Sequence, residues 1–181
     1  MIDNVNDETV RAVAHHEGAH IVIACVRGLA IDAQGMTVFG HPPDPTGVAL
    51  FEGATPKTEV ADAKVDNVVI ALLAGGIAHR RFQDDVRTAV LKDEDRIAEL
   101  LGAPSITCPE IQDRLGRLRA IATELVDRHW DKIQKVATKL CDKPWHRPSR
   151  HTSFFKDKSL SGDELKELLD PLPVVIDEVI E

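Results

Sequence analysis

The pattern of apolar and polar positions predicts a helix at the start of the chain. Residues 7–27 begin with acidic side chains and repeat their inward positions every three or four residues, which is the spacing of one helix face. Acidic groups suit the positive end of a helix dipole, and Gly28 supplies a residue able to end the helix in the left-handed conformation. We therefore predict a first helix over residues 7–27.

Two short apolar runs, residues 36–39 and 48–51, predict extended structure after this helix. Three prolines lie between them, at positions 42, 43 and 45, and stop any helix there. A hairpin or a pair of neighbouring strands is the expected structure.

The remainder of the chain has a helical pattern. We expect helices from Thr55 to about His79 and over residues 93–101, one long helix or two between residues 107 and 140, and a short helix opened by Ser161. Residues 68–78 are almost wholly apolar and predict a buried helix, in which Gly75 and Gly76 suggest close approach by another backbone. The order of helix, strands and helices predicts an α+β, mainly helical fold.

Length and composition limit the functional classes. The 181 residues suffice for a single domain, which we expect to comprise a core over residues 1–103 and a helical extension and tail over residues 104–181. A net charge of −8 argues against a nucleic-acid partner. The longest apolar stretch is shorter than the roughly 20 residues that span a bilayer, so we expect no membrane association.

Three widely spaced cysteines, none in a Cys-x-x-Cys pair, predict reduced and inert thiols. Acidic residues precede the first basic residue, Arg11, so the beginning of the sequence does not resemble a signal peptide. Both features indicate a cytoplasmic protein.

Eight histidines contrast with the absence of tyrosine, and two of them form the motif that carries chemistry. His16 and His20 belong to a His-Glu-x-x-His sequence inside the first predicted helix. Residues four apart lie one turn above each other, so both imidazoles can bind one metal ion from the same face. Glu17 can then take a proton from a metal-bound water. The flanking residues are apolar, so this polar trio lies on a buried helix and needs partners.

Two familiar sources of a third ligand are absent. The extended motif of the metzincins would require glycine and histidine where the chain has Ile23 and Val26. A thermolysin-like site would take a glutamate from a later Glu-x-x-x-Asp sequence, and no such spacing occurs downstream.

The residues around the motif resemble the peptidase domain of the FtsH family of zinc proteases. The run from residue 11 to residue 20, the helix ending at Gly28 and the short strands after it are similar to that domain, and residues 72–78 resemble its Leu-Ala-Gly-x-x-Ala-Glu helix. The similarity spans about residues 10–101, with only the His-Glu-x-x-His part strongly specific. The resemblance implies Zn²⁺, an aspartate as third ligand, and peptide-bond hydrolysis in the cytoplasm.

Three carboxylates compete for the third-ligand role, since the family's aspartate opens a helix where this chain has Asp93, Glu94 and Asp95. From Asp93 the same helix face continues through apolar residues, which favours a buried carboxylate. Four residues after Asp95, on the same helix face, the chain has a glutamate, which is an unlikely neighbour on an inward face. Four residues after Glu94 it has an alanine, which is tolerable there but less convincing. We therefore predict Asp93 as the ligand. His41 and His79 could also approach the metal, although a satisfied surface or core histidine is the default expectation.

The sequence departs from the FtsH family in ways that affect function. It contains neither a membrane segment nor the phosphate-binding loop of an ATPase module, and His79 stands where the family has a glutamate. We therefore expect an ATP-independent metallopeptidase whose substrate is a flexible peptide or protein segment, or which works with a protein partner or as a homo-oligomer. The strand over residues 47–52 is a candidate edge for binding substrate. The alternatives are a non-catalytic metal-binding regulatory module with a peptidase-like fold, and a hydrolase acting on a non-peptide amide.

Overall fold

A set of helices and one small sheet make up the part of the chain that the computed structural model describes, namely residues 7–40, 45–56, 59–83, 90–146, 156–172 and 176–177. The predicted α+β, mainly helical class is confirmed. Within these residues the elements are α1 (Asp7–Val26), β1 (Ile31–Gly40), β2 (Thr46–Phe51), α2 (Val65–Phe82), α3 (Val90–Leu100), α4 (Gln112–Arg128), α5 (Trp130–Cys141), β3 (Lys156–Leu160), α6 (Gly162–Leu169) and β4 (Ile176–Asp177).

The sheet has strand β1 at its centre, between β2 and β3. Both neighbours are antiparallel to β1, and Thr37 is paired with Val48 on one side and with Ser159 on the other. The two-residue strand β4 runs parallel to the start of β1. Among the described residues β2 pairs with β1 alone, so its other side is an edge of the sheet.

Strand β1 is bent in its first half, where its register with β2 shifts between Ile31 and Met36. The carboxylate of Asp32 accepts a hydrogen bond of 2.6 Å from the backbone N–H of Gln34, which stabilises the bend. Gly35 follows with φ +69°. A Cβ atom at this position would overlap the carbonyl oxygen of Leu160 in β3. Glycine is required here because of both the backbone conformation and the close strand.

Helix α1 lies at the centre of the helical part, and every residue from position 12 to position 25 is buried. It packs against α2, α4 and α5 and also against strands β1 and β2. A helix enclosed on all sides is expected to be apolar all round. The polar side chains of His15, His16, Glu17 and His20 are buried within it and therefore need partners inside the protein.

Helix α2 begins at Val65, so the predicted start at Thr55 is wrong. Thr55 and Pro56 lie in a bend and a turn after β2, and residues 61–63 are exposed. Asp62–Lys64 form one short turn of 3₁₀ helix before α2. Without an apolar face to bury, this upstream segment gains little from forming a longer helix. The apolar run over residues 68–78 is buried, as its composition predicts.

The later helices follow the sequence pattern more closely. The long periodic stretch forms two helices, α4 and α5, separated at His129. Helix α6 begins with a capping box, in which the Glu164 backbone N–H donates to Ser161 Oγ and the Ser161 N–H donates to the Glu164 carboxylate. Strand β3 was not predicted, because Leu160 is its one fully buried residue and its other positions show no apolar alternation.

No helix in the described part of the chain is long and apolar enough to cross a membrane. Cys25, Cys108 and Cys141 are free thiols. Burial raises the pKa of Cys25 to about 12, which makes that thiol unreactive and agrees with the prediction of an inert core residue.

We predict that Gly35→Ala destabilises the fold by about 2–4 kcal/mol, because a side chain is strained at positive φ and also collides with β3. Gly116→Ala is the matched control: Gly116 lies inside α4 with open space around the added methyl group, so the change should stabilise by about 0.5–1 kcal/mol. Urea unfolding followed by circular dichroism measures both. Equal unfolding midpoints for the two variants would contradict this account of β1.

Candidate metal centre

Helix α1 presents His16 and His20 on one face, one turn apart, and both imidazoles are buried. Their Nε2 atoms are 3.0 Å apart, and the ring planes are almost perpendicular. Nδ1 of His20 lies 2.8 Å from the backbone carbonyl oxygen of Ala71 in α2. Nδ1–H donates to that carbonyl, so in the neutral imidazole Nε2 is the nitrogen available to a metal ion.

Helix α3 supplies the third group, a carboxylate from its first turn. Oδ2 of Asp93 is 3.0 Å from His16 Nε2 and 3.3 Å from His20 Nε2. Among the described residues this is the one cluster of three ligand-bearing side chains whose ligand atoms all lie close together. Glu94 and Asp95 are outside it, so the structure brings the two histidines together with the aspartate chosen from the sequence.

The cluster could hold a metal ion, because its ligand atoms are spaced much as they are in a tetrahedral metal site. Tetrahedral zinc has bonds to nitrogen and oxygen of about 2.0–2.2 Å, which separates neighbouring ligand atoms by about 3.3 Å. The three observed separations lie between 3.0 and 3.3 Å. Two imidazoles and one carboxylate are also a typical donor set for a catalytic zinc site. Iron and cobalt accept the same donors.

The electrostatics of the cluster favour a cation between these groups. Burial lowers the pKa of His16 to about 4. Burial also opposes protonation of His20, yet the neighbouring Asp93 and Glu17 carboxylates raise its pKa to about 9. Burial by itself would raise the pKa of Asp93, but the two imidazoles hold it well below its usual range. The carboxylates therefore stabilise one positive charge at this point, which a metal ion would supply.

Glu17 lies beside the cluster and under strand β2. Its side chain is buried, and a Cβ atom on Gly47 would come within 2.5 Å of both its Cγ and its Oε1. Burial raises the pKa of Glu17 to about 8. A nearby cation would favour its ionised form. The sequence contains no indication that Gly47 lies against Glu17, because Gly47 is there simply the last residue of a proline-rich turn.

Helix α2 comes unusually close to the cluster at Gly75. A Cβ atom there would lie 2.8 Å from His16 Nε2 and closer still to the ring of His20. The close approach predicted from the paired glycines exists at Gly75, where the nearest atoms belong to two imidazoles rather than to another backbone.

A cleft of about 520 Å³ opens onto the centre. Its walls differ in character, because the sheet and α2 contribute mainly apolar side chains whereas α3 contributes charged ones. Residues of the sheet and α2 that line the cleft include Phe39, Val48, Ala49, Phe51 and Leu72, and those of α3 include Lys92, Asp95, Arg96 and Glu99. Strand β2 lines it through Thr46 and Gly47 as well.

Other histidines surround the centre without joining it. The ring of His79, in α2, is buried and lies 6.0 Å from that of His16. His15 stacks against Phe82 at 4.3 Å and Trp130 at 5.5 Å, and so anchors α1 to its neighbouring helices. His41 falls outside the described residues.

Comparisons with known proteins assign no family. No family model matches the chain, and no curated protein matches its sequence. Functional conclusions for this protein therefore depend on the geometry of the centre.

We predict that Asp93→Asn weakens zinc binding by more than roughly 100-fold, because it removes the anionic ligand itself. Loss of a residue that only hydrogen-bonds to a metal ligand typically weakens binding by roughly 10- to 100-fold. Glu94→Gln and Asp95→Asn are the matched controls and should bind zinc as the wild type does. Competition with a chelating dye measures all three affinities. Stronger loss in either control than in Asp93→Asn would assign the carboxylate ligand to another residue.

Gly75→Ala should weaken zinc binding by roughly 10- to 100-fold, since the added methyl group displaces the two imidazoles. The helix itself does not oppose the change, because alanine is the better helix former. Dye competition measures the change in zinc affinity, and the melting temperature of the metal-free protein measures any change in the stability of the fold. Wild-type affinity in Gly75→Ala would show that α2 does not limit the space of the centre; Gly116→Ala controls for the substitution itself.

Proposed function

We propose that the protein is a zinc-dependent metallopeptidase that hydrolyses peptide bonds without ATP. The observation that carries the proposal is the position of Glu17, a carboxylate buried next to three convergent ligand groups and facing a cleft. A purely structural metal site needs no such group. The resemblance of residues 11–20 to FtsH-type peptidases supports the same reaction.

His16, His20 and Asp93 would hold the ion, leaving one position of a tetrahedral site open to the cleft. Zinc bound there would supply a Lewis acid that acidifies a water molecule and polarises a carbonyl group. Glu17 takes the proton of the attacking water and delivers it to the amine that leaves. The hydrogen bond from His20 Nδ1 to Ala71 keeps that imidazole in the orientation and tautomer that binding requires.

Strand β2 is the natural place for a peptide substrate. It lines the cleft, it is at an edge of the sheet in the described part of the chain, and it crosses directly over Glu17 at Gly47. A peptide added as a further strand gains backbone hydrogen bonds that do not depend on its sequence. An extended segment fits this arrangement, which is consistent with a peptidase that acts on flexible chains in the cytoplasm.

Glu17→Gln should retain zinc and lose peptide hydrolysis by roughly 100-fold or more, because the amide fills the same space but accepts no proton. Zinc content by elemental analysis and cleavage of casein and of a peptide library provide the two readouts. The Arg114→Met variant changes an exposed residue of α4 and serves as the active control.

Full activity of Glu17→Gln would contradict the assignment of the base. A wild-type protein that binds zinc yet cleaves no peptide would instead favour a non-catalytic regulatory module with the same fold.

A further inference from the structure

Arg96 is a buried charged residue of the cleft that the proposed reaction does not use. It lies in α3, one turn after Asp93, and only 6% of its surface is exposed. A guanidinium group removed from water must be fully hydrogen-bonded to be tolerated. Its contacts therefore show what it holds in place.

Two hydrogen bonds of this guanidinium group lie within the described part of the chain. Its Nη1 donates to the Glu99 carboxylate at 2.7 Å, within the same helix. Its Nε donates to the backbone carbonyl oxygen of Gly53 at 3.1 Å, in the turn that follows β2. The second contact joins α3 to the turn after β2, whereas the first joins α3 only to itself.

The turn that receives this hydrogen bond is firmly held. The Glu52 N–H donates to the carbonyl oxygen of Ala30 at 2.8 Å, and the Ala54 N–H donates to that of Phe51 at 3.0 Å. The Glu52 carboxylate also accepts two hydrogen bonds from Lys64. Arg96 therefore connects the helix that carries Asp93 to a rigid point of the scaffold.

We propose that Arg96 is a positioning residue for the metal centre, which holds α3 so that the Asp93 carboxylate meets His16 and His20. This inference rests on the metal site of the proposed function. His16 and His20 are placed by α1 itself, but Asp93 comes from a different helix and reaches them only if α3 is oriented correctly. Ile97, one residue further on, is also buried in the core. The hydrogen bond from Arg96 to Gly53 adds a directional restraint on α3 to this apolar contact.

The test measures zinc affinity by chelator competition, with the melting temperature of each metal-free variant recorded alongside. Arg96→Met should weaken zinc binding by roughly 10- to 100-fold, and Arg96→Lys, which retains a cation able to donate to Gly53, should recover part of it. Arg114→Met is the matched control, because Arg114 also joins two helices through an ion pair, with Asp66, but is exposed and does not line the cleft. It should bind zinc as the wild type does.

A double-mutant cycle with Asp93→Asn distinguishes positioning from general stability. If Arg96 acts through Asp93, Arg96→Met should change zinc affinity less than about twofold in the Asp93→Asn background. The proposal would be overturned if Arg96→Met bound zinc with wild-type affinity. It would also be overturned if Arg96→Met lowered zinc affinity as much in the Asp93→Asn background as in the wild type. Failure of the wild type to bind zinc would overturn it as well.

These measurements use no peptide substrate, so they separate this inference from the proposed activity. A protein that shows the expected pattern of zinc affinities but cleaves nothing would remove the peptidase assignment and leave the role of Arg96 intact.

Discussion

Confinement of two buried imidazoles, the buried Glu17 carboxylate and the half-buried Asp93 carboxylate in one small volume is the constraint on which the rest of the structure depends. Groups that can carry charge lose the stabilisation of water when they are buried, and they remain together only if they compensate one another. His16, His20 and Asp93 lie within about 3 Å of one another, and the Asp93 carboxylate offsets the positive charge of His20 while burial keeps His16 neutral. A divalent cation would complete this balance and would also favour ionised Glu17 beside it.

The surrounding elements serve this arrangement in different ways. Helix α1 is enclosed by α2, α5 and the sheet, and the cleft reaches its polar face. Helix α2 contributes both the carbonyl oxygen of Ala71, which orients one imidazole, and the space left by Gly75. Strand β2 closes over Glu17 at Gly47 yet leaves its outer edge beside the cleft. In the proposed function, binding of the ion, activation of water and binding of a peptide would fall to neighbouring but distinct parts of the fold.

Helix α3 differs from the others because it supplies the third ligand across a long interval of sequence. Its apolar contacts bury it, and the hydrogen bond from Arg96 to Gly53 ties it to the turn after β2. Directional bonds of this kind restrict rotation more than apolar packing does, since apolar packing is not directional. The accuracy of the metal site therefore depends on a contact outside the ligands themselves.

Local pattern explains why part of this could be predicted from the sequence. The spacing of His16 and His20 is a property of any helix, and the apolar face that continues from Asp93 separated it from Glu94 and Asp95. The capping box at Ser161 is likewise a contact between residues three apart. The start of α2 was mispredicted because Thr55 and Pro56 resemble a helix start locally, whereas no burial supports a helix there.

Other features join residues that are distant in sequence. The pairing of β3 with β1, the approach of Gly75 to the imidazoles, the position of Gly47 over Glu17 and the contact of Arg96 with Gly53 are of this kind. The sequence by itself determined the chemical groups and the helical spacing that makes two of them ligands. Only the tertiary structure decided which glycines leave room for them and which helix orientation brings the third ligand within reach, because these depend on packing between separate segments.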